Sequence, residues 1–269
     1  MTAKAITSSA VWTDARLAAI IMVGACVNAL LVRVVEQVGI DGQASLSFGI
    51  SPFQIVTIFV AAHLSLGRGE ATRSASPLLD ALVLGLILIP SSAVSWLALA
   101  LYAGATAWRT TDERRMGALL FLGLALTALW SSVLLKWIAA PVTGAEAYVV
   151  GLIVSALRPD IVQAANVIGN PDTHSLILMT RCTTADALPI AIVSLVAVAS
   201  LLGGLKREKF WRACAALALF VFVANLARLC AMAWSADLYA FVHGPIGANV
   251  FDGALVLAVL GLGNWASQP

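Results

Sequence analysis

The stretch RACAALALFVFVANLARLCAMAW, residues 212–234, decides the fold class of this chain. It is a mostly apolar run that is long enough to cross a bilayer, for which a helix needs about 20 residues. The whole composition agrees, because 61% of the 269 residues are hydrophobic and only 11% are charged. Soluble domains carry about 45–50% apolar and about 25% charged residues. The sequence therefore predicts an all-α integral membrane protein.

Seven further apolar stretches are candidate membrane spans, at residues 17–35, 51–66, 77–90, 92–108, 116–138, 183–204 and 246–264. Two of them adjoin at LIPSSAV (88–94), so they form either a helical hairpin that turns at Pro90 or one long helix. Basic residues favour the hairpin, because Lys and Arg collect in cytoplasmic loops. The hairpin places four basic clusters on the same side of the membrane. They are Lys4 and Arg16; Arg68 and Arg73; Arg109, Arg114 and Arg115; and Lys206, Arg207, Lys209 and Arg212. The prediction is eight transmembrane helices with both termini cytoplasmic.

The chain is predicted to be one polytopic membrane domain over residues 1–269. It divides into N-terminal helices (1–140), an outer loop (141–182) and three last spans (183–265). Within the loop, AEAYVVGLIVSALRPD (145–160) predicts a short re-entrant or interfacial helix on the outer face. VIGNPDTHSLILMTR (167–181) predicts two short extended runs around an Asn-Pro-Asp turn, a possible small β-hairpin before the sixth span.

Charge and cysteine content exclude two classes of function. The net charge is only +2, with basic residues in short clusters, so nothing indicates nucleic-acid binding. The four cysteines show no CxxC and no zinc-type spacing, so no metal and no cofactor are expected. The partners predicted by composition alone are the lipid bilayer and whatever the membrane domain binds.

Arg228 is the clearest ionisable residue within a predicted span, a position that is costly and suggests function. It lies about 16 residues past Arg212, which places it roughly 24 Å from the inner end of the helix. Asn225, three residues earlier on the same face, is expected to hydrogen-bond beside it. Asp80 is taken as the only acid clearly within a span, which leaves no acidic pair for an aspartyl protease.

Cys182 and His243 are predicted at the same outer end, at the starts of the sixth and last spans. Asp186 follows Cys182 by one turn, and Arg181 precedes it. A helix N-terminus or a nearby cation favours the reactive thiolate. Histidine can move the leaving-group proton, and arginine can stabilise a developing oxyanion. The sequence therefore predicts a thiol-based site at the outer membrane face.

Simpler interpretations remain open for each residue. A cysteine near a helix end is often inert, and an arginine there often only reaches the headgroups. Cys230 is a rival nucleophile, two residues from Arg228 but on another face. His63 and His174 are taken as ordinary, the latter at a loop tip. The co-location of Cys182, Arg228 and His243 favours the functional interpretation.

These residues resemble the exosortase/archaeosortase family of transpeptidases. The family pattern is a cysteine that opens a span after an extended segment, then Asn-x-x-Arg, then histidine with glycine and an aromatic at four-residue intervals. The matching residues here are Cys182, Asn225, Arg228, His243, Gly247 and Phe251. The resemblance covers about residues 147–265. One position departs, because the chain has Cys182-Thr183-Thr184-Ala185 where the family usually has glycine third.

The resemblance implies a sortase-like cysteine peptidase, a hydrolase of the cell inner membrane that cleaves C-terminal sorting signals. Such a signal is a short motif (Pro-Glu-Pro in many bacterial cases), a transmembrane helix and a basic cluster. It implies catalytic roles for Cys182, Arg228 and His243, a thioester on Cys182 and transfer to an unknown acceptor. Supporting roles fall to Asn225, Asp186, Arg181, Gly247 and Phe251.

Two other classes of function stay open. A small-molecule transporter would use Arg228 and Lys136 along its path, and predicts broken helices and internal repeats. A non-catalytic assembly factor for surface polysaccharide or protein export would keep the same helices without the chemistry.

Overall fold

The computed structural model describes residues 3–41, 51–67, 77–204 and 206–268, and the side chains of 3–15, 36–41 and 112 lie outside this description. This part of the chain is predominantly helical, as predicted. It divides into two compact units, residues 1–129 with 196–201 and residues 130–195 with 202–269. The basic residues Arg68 and Arg73, and the side chain of Lys4, fall outside the described residues.

The described residues of the first unit include the helices α1 Ala3–Asp41, α2 Pro52–Ser65, α3 Pro77–Ile87, α4 Ser92–Arg109 and α5 Asp112–Leu129. Ser51 begins α2 with a capping box, since its hydroxyl accepts from the backbone while the Gln54 side chain accepts from the Ser51 N–H. Helix α2 packs against α5 at Gly117, where a Cβ would lie only 2.5 Å from Ser65 Oγ. The chain is non-helical between Ile87 and Ser92, around Pro90.

Partly buried polar groups join the helices of this unit. Asn28 Nδ2 on α1 donates to Ile87 O at 2.9 Å and to Ser95 Oγ at 2.8 Å. Tyr102 Oη donates to Asp80 Oδ1 at 2.8 Å, so the predicted intramembrane acid Asp80 is a structural acceptor between α3 and α4. Satisfied pairs of this kind fix the register between apolar helices.

The second unit begins with a π-helical turn, Trp130–Leu134, and continues through α6 Leu135–Trp137 and α7 Ala139–Leu157. Three strands follow, β1 Val162–Ala164, β2 Val167–Asn170 and β3 His174–Ile177, which form an antiparallel sheet in the order β1-β2-β3. Strands β2 and β3 lie on the two extended runs of the sequence around Asn170-Pro171-Asp172. A 3₁₀ turn, Thr180–Cys182, leads into α8 Thr184–Leu201. The chain then forms α9 Arg207–Trp234, α10 Ala236–His243 and α11 Pro245–Ser267.

Among the described residues, six helices are long and apolar enough to cross a membrane, within 16–35, 113–137, 139–157, 184–201, 207–234 and 245–267. Five of them match predicted spans. The predicted spans at 51–66 and 77–90 form helices of only 14 and 11 residues. The stretch at 92–108 forms α4 but is not among the six.

Helix α7 overturns one prediction, because residues 145–160 were expected to form only a short helix on the outer face. The helix instead starts at Ala139 and has 19 residues. The buried face of α7 packs against the sheet and the last turns of α9. Together they form an apolar cluster that includes Val150, Ile168, Leu176 and Leu229. The added residues, 139–144, begin the helix with Pro141, which a helix tolerates in its first turn, and with Thr143, whose hydroxyl donates to Ala139 O at 2.8 Å.

Candidate functional site

Cys182 lies in the 3₁₀ turn immediately before α8, where the sequence predicted it. Its N–H donates to Met179 O at 2.9 Å, and Thr183 Oγ1 donates to Thr180 O at 2.6 Å. The cysteine is half-buried against the apolar cluster of α7, the sheet and α9. Its backbone is therefore fixed from both sides, and its thiol is a free one.

Asn225 joins α9 to this turn. Its Nδ2 donates to Cys182 O at 2.9 Å, and also lies 3.4 Å from Thr184 Oγ1 and 3.3 Å from Glu146 Oε2. The side chain is almost fully buried. Asn225 was expected to support Arg228 on its own helix, but its hydrogen bonds go to α8 and α7. Two of the sequence motifs, the cysteine and the Asn-x-x-Arg, are thus in direct contact.

Glu146 on α7 is a site residue that sequence analysis missed. Its Oε1 accepts from Thr184 N, the first backbone N–H of α8, at 2.6 Å. The carboxylate therefore caps the helix end beside Cys182, the position where a helix dipole favours negative charge. Glu146 and Asp252 both lie within candidate spans, so the prediction that Asp80 is the only acid there is wrong. An acid inside an apolar stretch was the available signal.

Trp130 is a second missed residue. It opens the π-helical turn, and its Nε1 donates to Ala185 O at 2.8 Å in the first turn of α8. π-Helical turns often occur at functional sites. The start of α8 is consequently held by a carboxylate, an amide and an indole from three different helices.

Arg228 faces α11. Its Cζ lies 5.1 Å from the centroid of the Phe251 ring, within the range of a cation–π contact. Asp252, which like Phe251 belongs to α11, interacts electrostatically with the guanidinium of Arg228. Arg228 Nε is buried without a hydrogen-bond partner among the described residues. A half-buried arginine with one unused N–H donor is suited to hold an oxygen of a bound substrate.

His243 ends α10 and is exposed. Its ring stacks on Tyr239, with centroids 5.2 Å apart and an interplanar angle of 20°. Tyr239 also lies 5.6 Å from the ring of His174. His174 was expected at a loop tip, but it is half-buried in β3 and its Nε2 lies 2.9 Å from Met232 O.

Gly247 permits the tight junction between α10 and α11. A Cβ there would lie 2.5 Å from Val242 Cα and 2.6 Å from Phe241 O, both backbone atoms. Only glycine fits such an approach. The spacing of His243, Gly247 and Phe251 therefore has a local explanation. Gly247 allows α10, which ends at His243, to pack closely against the start of α11, which carries Phe251.

The predicted site residues are only partly brought together. In the described part of the chain, no hydrogen bond or ion pair joins the Cys182 thiol, the Arg228 guanidinium and the His243 imidazole to one another. Arg181 is exposed, and Asp186 lies half-buried in the first turn of α8. Cys230 packs beside the same apolar cluster as Cys182.

A small pocket of about 150 Å³ opens where the sheet meets the end of α9. Arg158 crosses it, donating to Trp234 O at 2.8 Å and pairing with Asp160 at 2.5 Å. The hydrogen bond from Arg158, with a second from Asn170, lowers the pKa of Asp160. No group of three or more His, Cys, Asp or Glu side chains that could hold a metal ion occurs among the residues described.

The six long apolar helices among the described residues make this chain a helical membrane protein. No family model matches it, and neither does any curated protein or solved structure.

Proposed function

We propose that this chain is a membrane-embedded cysteine transpeptidase that cleaves the C-terminal sorting signal of exported proteins. Its active site would face the outer side of the cytoplasmic membrane, with both chain termini in the cytoplasm. The observation that supports this best is the hydrogen bond from Asn225 Nδ2 to Cys182 O. It links the two motifs that the resemblance to exosortases requires to act together.

In the proposed reaction, Cys182 Sγ attacks the carbonyl carbon of the substrate peptide bond. The C–N bond breaks, the leaving amine takes a proton through His243, and the acyl group remains as a thioester on Cys182. An acceptor nucleophile then attacks the thioester and restores the thiol. Arg228 holds the carbonyl oxygen as negative charge develops, and it does not titrate in doing so.

In this proposal, nearby cations rather than the helix N-terminus favour the thiolate form of Cys182. The first N–H of α8 is already taken by Glu146, so the helix N-terminus offers less to a thiolate than the sequence suggested. Substrate binding would bring the Cys182 thiol, His243 and Arg228 into reach, because catalytic hydrogen bonds are often long before substrate is bound.

The test compares Cys182→Ala with Cys230→Ala. The probe is an exported reporter that ends in a short extended segment, an apolar helix and an arginine cluster, co-expressed with the chain. Cys182→Ala should abolish processing of this reporter, whereas Cys230→Ala should retain most of it. Wild-type processing by the Cys182→Ala protein would contradict the proposal and favour the non-catalytic assembly factor.

A further inference from the structure

The outer edge of β3 carries backbone groups that the sheet does not use. Leu178 N donates to Asn166 O at 2.8 Å, and the register pairs Ile177 with Val167 and Leu176 with Ile168. Hydrogen-bonding direction alternates along an antiparallel strand. The N–H and C=O of Leu176 therefore point to β2, while those of Ser175 and Ile177 point away from it.

Neither Ser175 nor Ile177 has a hydrogen-bond partner for these outward groups within the described residues. Their side chains are also exposed, 60% in the case of Ile177. The opposite edge differs, since β1 packs against α7, with Gln163 at Gly151. Unpaired edges are ready templates for another strand.

The edge leads directly to Cys182. The backbone remains extended at Met179, with φ −100° and ψ 158°. Met179 O then accepts from Cys182 N, which closes the turn before α8. A chain paired along Ser175, Ile177 and Met179 would thus be delivered to within one turn of the thiol.

We propose that the outer edge of β3 binds the extended segment of the exported substrate as a fourth strand and so positions its scissile bond at Cys182. This inference rests on the proposed function. Main-chain groups at an edge select an extended peptide whatever its side chains, while Ile177 and Met179 contact alternate side chains of that peptide.

The test measures binding apart from catalysis. The probe is a soluble peptide covering the extended segment of the reporter, titrated into the Cys182→Ala protein in nanodiscs. Ile177→Pro removes the outward N–H and leaves the ladder to β2 unchanged, because that N–H does not face β2. It should weaken binding about tenfold through one lost backbone hydrogen bond. Ile177→Val keeps the N–H and should stay within about twofold.

Peptides N-methylated at one position at a time provide a second measurement that does not depend on how a variant folds. Methylation should weaken binding at every other residue, because only alternate N–H groups face β3. Equal binding by the Ile177→Pro and Ile177→Val proteins, no alternation, or no measurable binding would overturn the inference. Cys182-dependent processing would still support the transpeptidase in those cases. If the effect of N-methylation alternates along the peptide but the wild-type protein processes no reporter, the transpeptidase proposal is contradicted. The binding of a peptide at the edge of β3 would still be supported.

Discussion

At the scale of single residues, Glu146 joins two of the polar groups around Cys182. It accepts hydrogen bonds from Thr184 N and Asn225 Nδ2, groups 38 and 79 positions away along the chain. Periodicity in a sequence can assign Asn225 to a helix face, but it cannot say which neighbouring helix that face meets. The contact between Asn225 and Cys182 was therefore beyond prediction, although both residues were singled out.

Glu146→Ala should destabilise the protein by about 1–3 kcal/mol, because it leaves the helix-end N–H of Thr184 without its acceptor and removes one acceptor of the buried Asn225 amide. Thermal unfolding in detergent would measure the loss. Glu208→Ala, at an exposed acid in the first turn of α9, is the matched control and should cost less than about 1 kcal/mol. Equal losses of stability in the two variants would show that the hydrogen bonds of Glu146 contribute no more to stability than an exposed acid does.

Arg228→Lys should lower reporter processing at least 100-fold while the protein stays folded. A lysine keeps the charge above Phe251 but lacks the planar fork and the Nε–H of arginine. The measurement is processing of the reporter at equal amounts of membrane protein. Arg207→Lys is the control, since Arg207 is exposed at the start of α9, far from Cys182, and should tolerate the change. Normal processing by the Arg228→Lys protein would show that the reaction needs only a positive charge at this position, and not the guanidinium group.

At the scale of elements, prediction succeeded where the signal was local and failed where it was not. The start of α8 near Cys182 and the extended runs around Asn170-Pro171-Asp172 follow from nearby residues. The position of α7 against the sheet and α9 depends on apolar contacts that no window of its own sequence contains. Strand β1, which adds the third strand, was missed for the same reason, because its partners are β2 and α7.

Gly247→Ala should disrupt the junction of α10 and α11. The new methyl group would meet backbone atoms at 2.5 Å, so the helices must shift, at a cost of about 1–3 kcal/mol. Because His243 and Phe251 flank the junction, processing should fall as well. Gly253→Ala lies on the same helix with open space around the added Cβ, and should be neutral or slightly stabilising in a thermal unfolding assay. Similar behaviour of the two variants would contradict the role given to Gly247.

At the scale of the whole molecule, the contacts of α7 decide where the sheet lies. Glu146 meets Asn225 in the middle of α9, and Arg158, just after α7, meets Trp234 at the end of α9. Helix α7 therefore runs in the same direction as the second half of α9. The sheet and Cys182 lie toward the Trp234 end, away from the basic start of α9 at Arg207.

This geometry gives a topology prediction that does not depend on the number of spans. Reporter fusions at Asp172, in the turn between β2 and β3, and at Asp237, at the start of α10, should report the same side of the membrane. A fusion after Arg207 should report the opposite side, because α9 is long enough to cross between them. The basic cluster at 206–212 makes that opposite side the cytoplasm. A cytoplasmic signal from Asp172 would place Cys182 in the wrong compartment for exported substrates, and the transpeptidase proposal would fail with it.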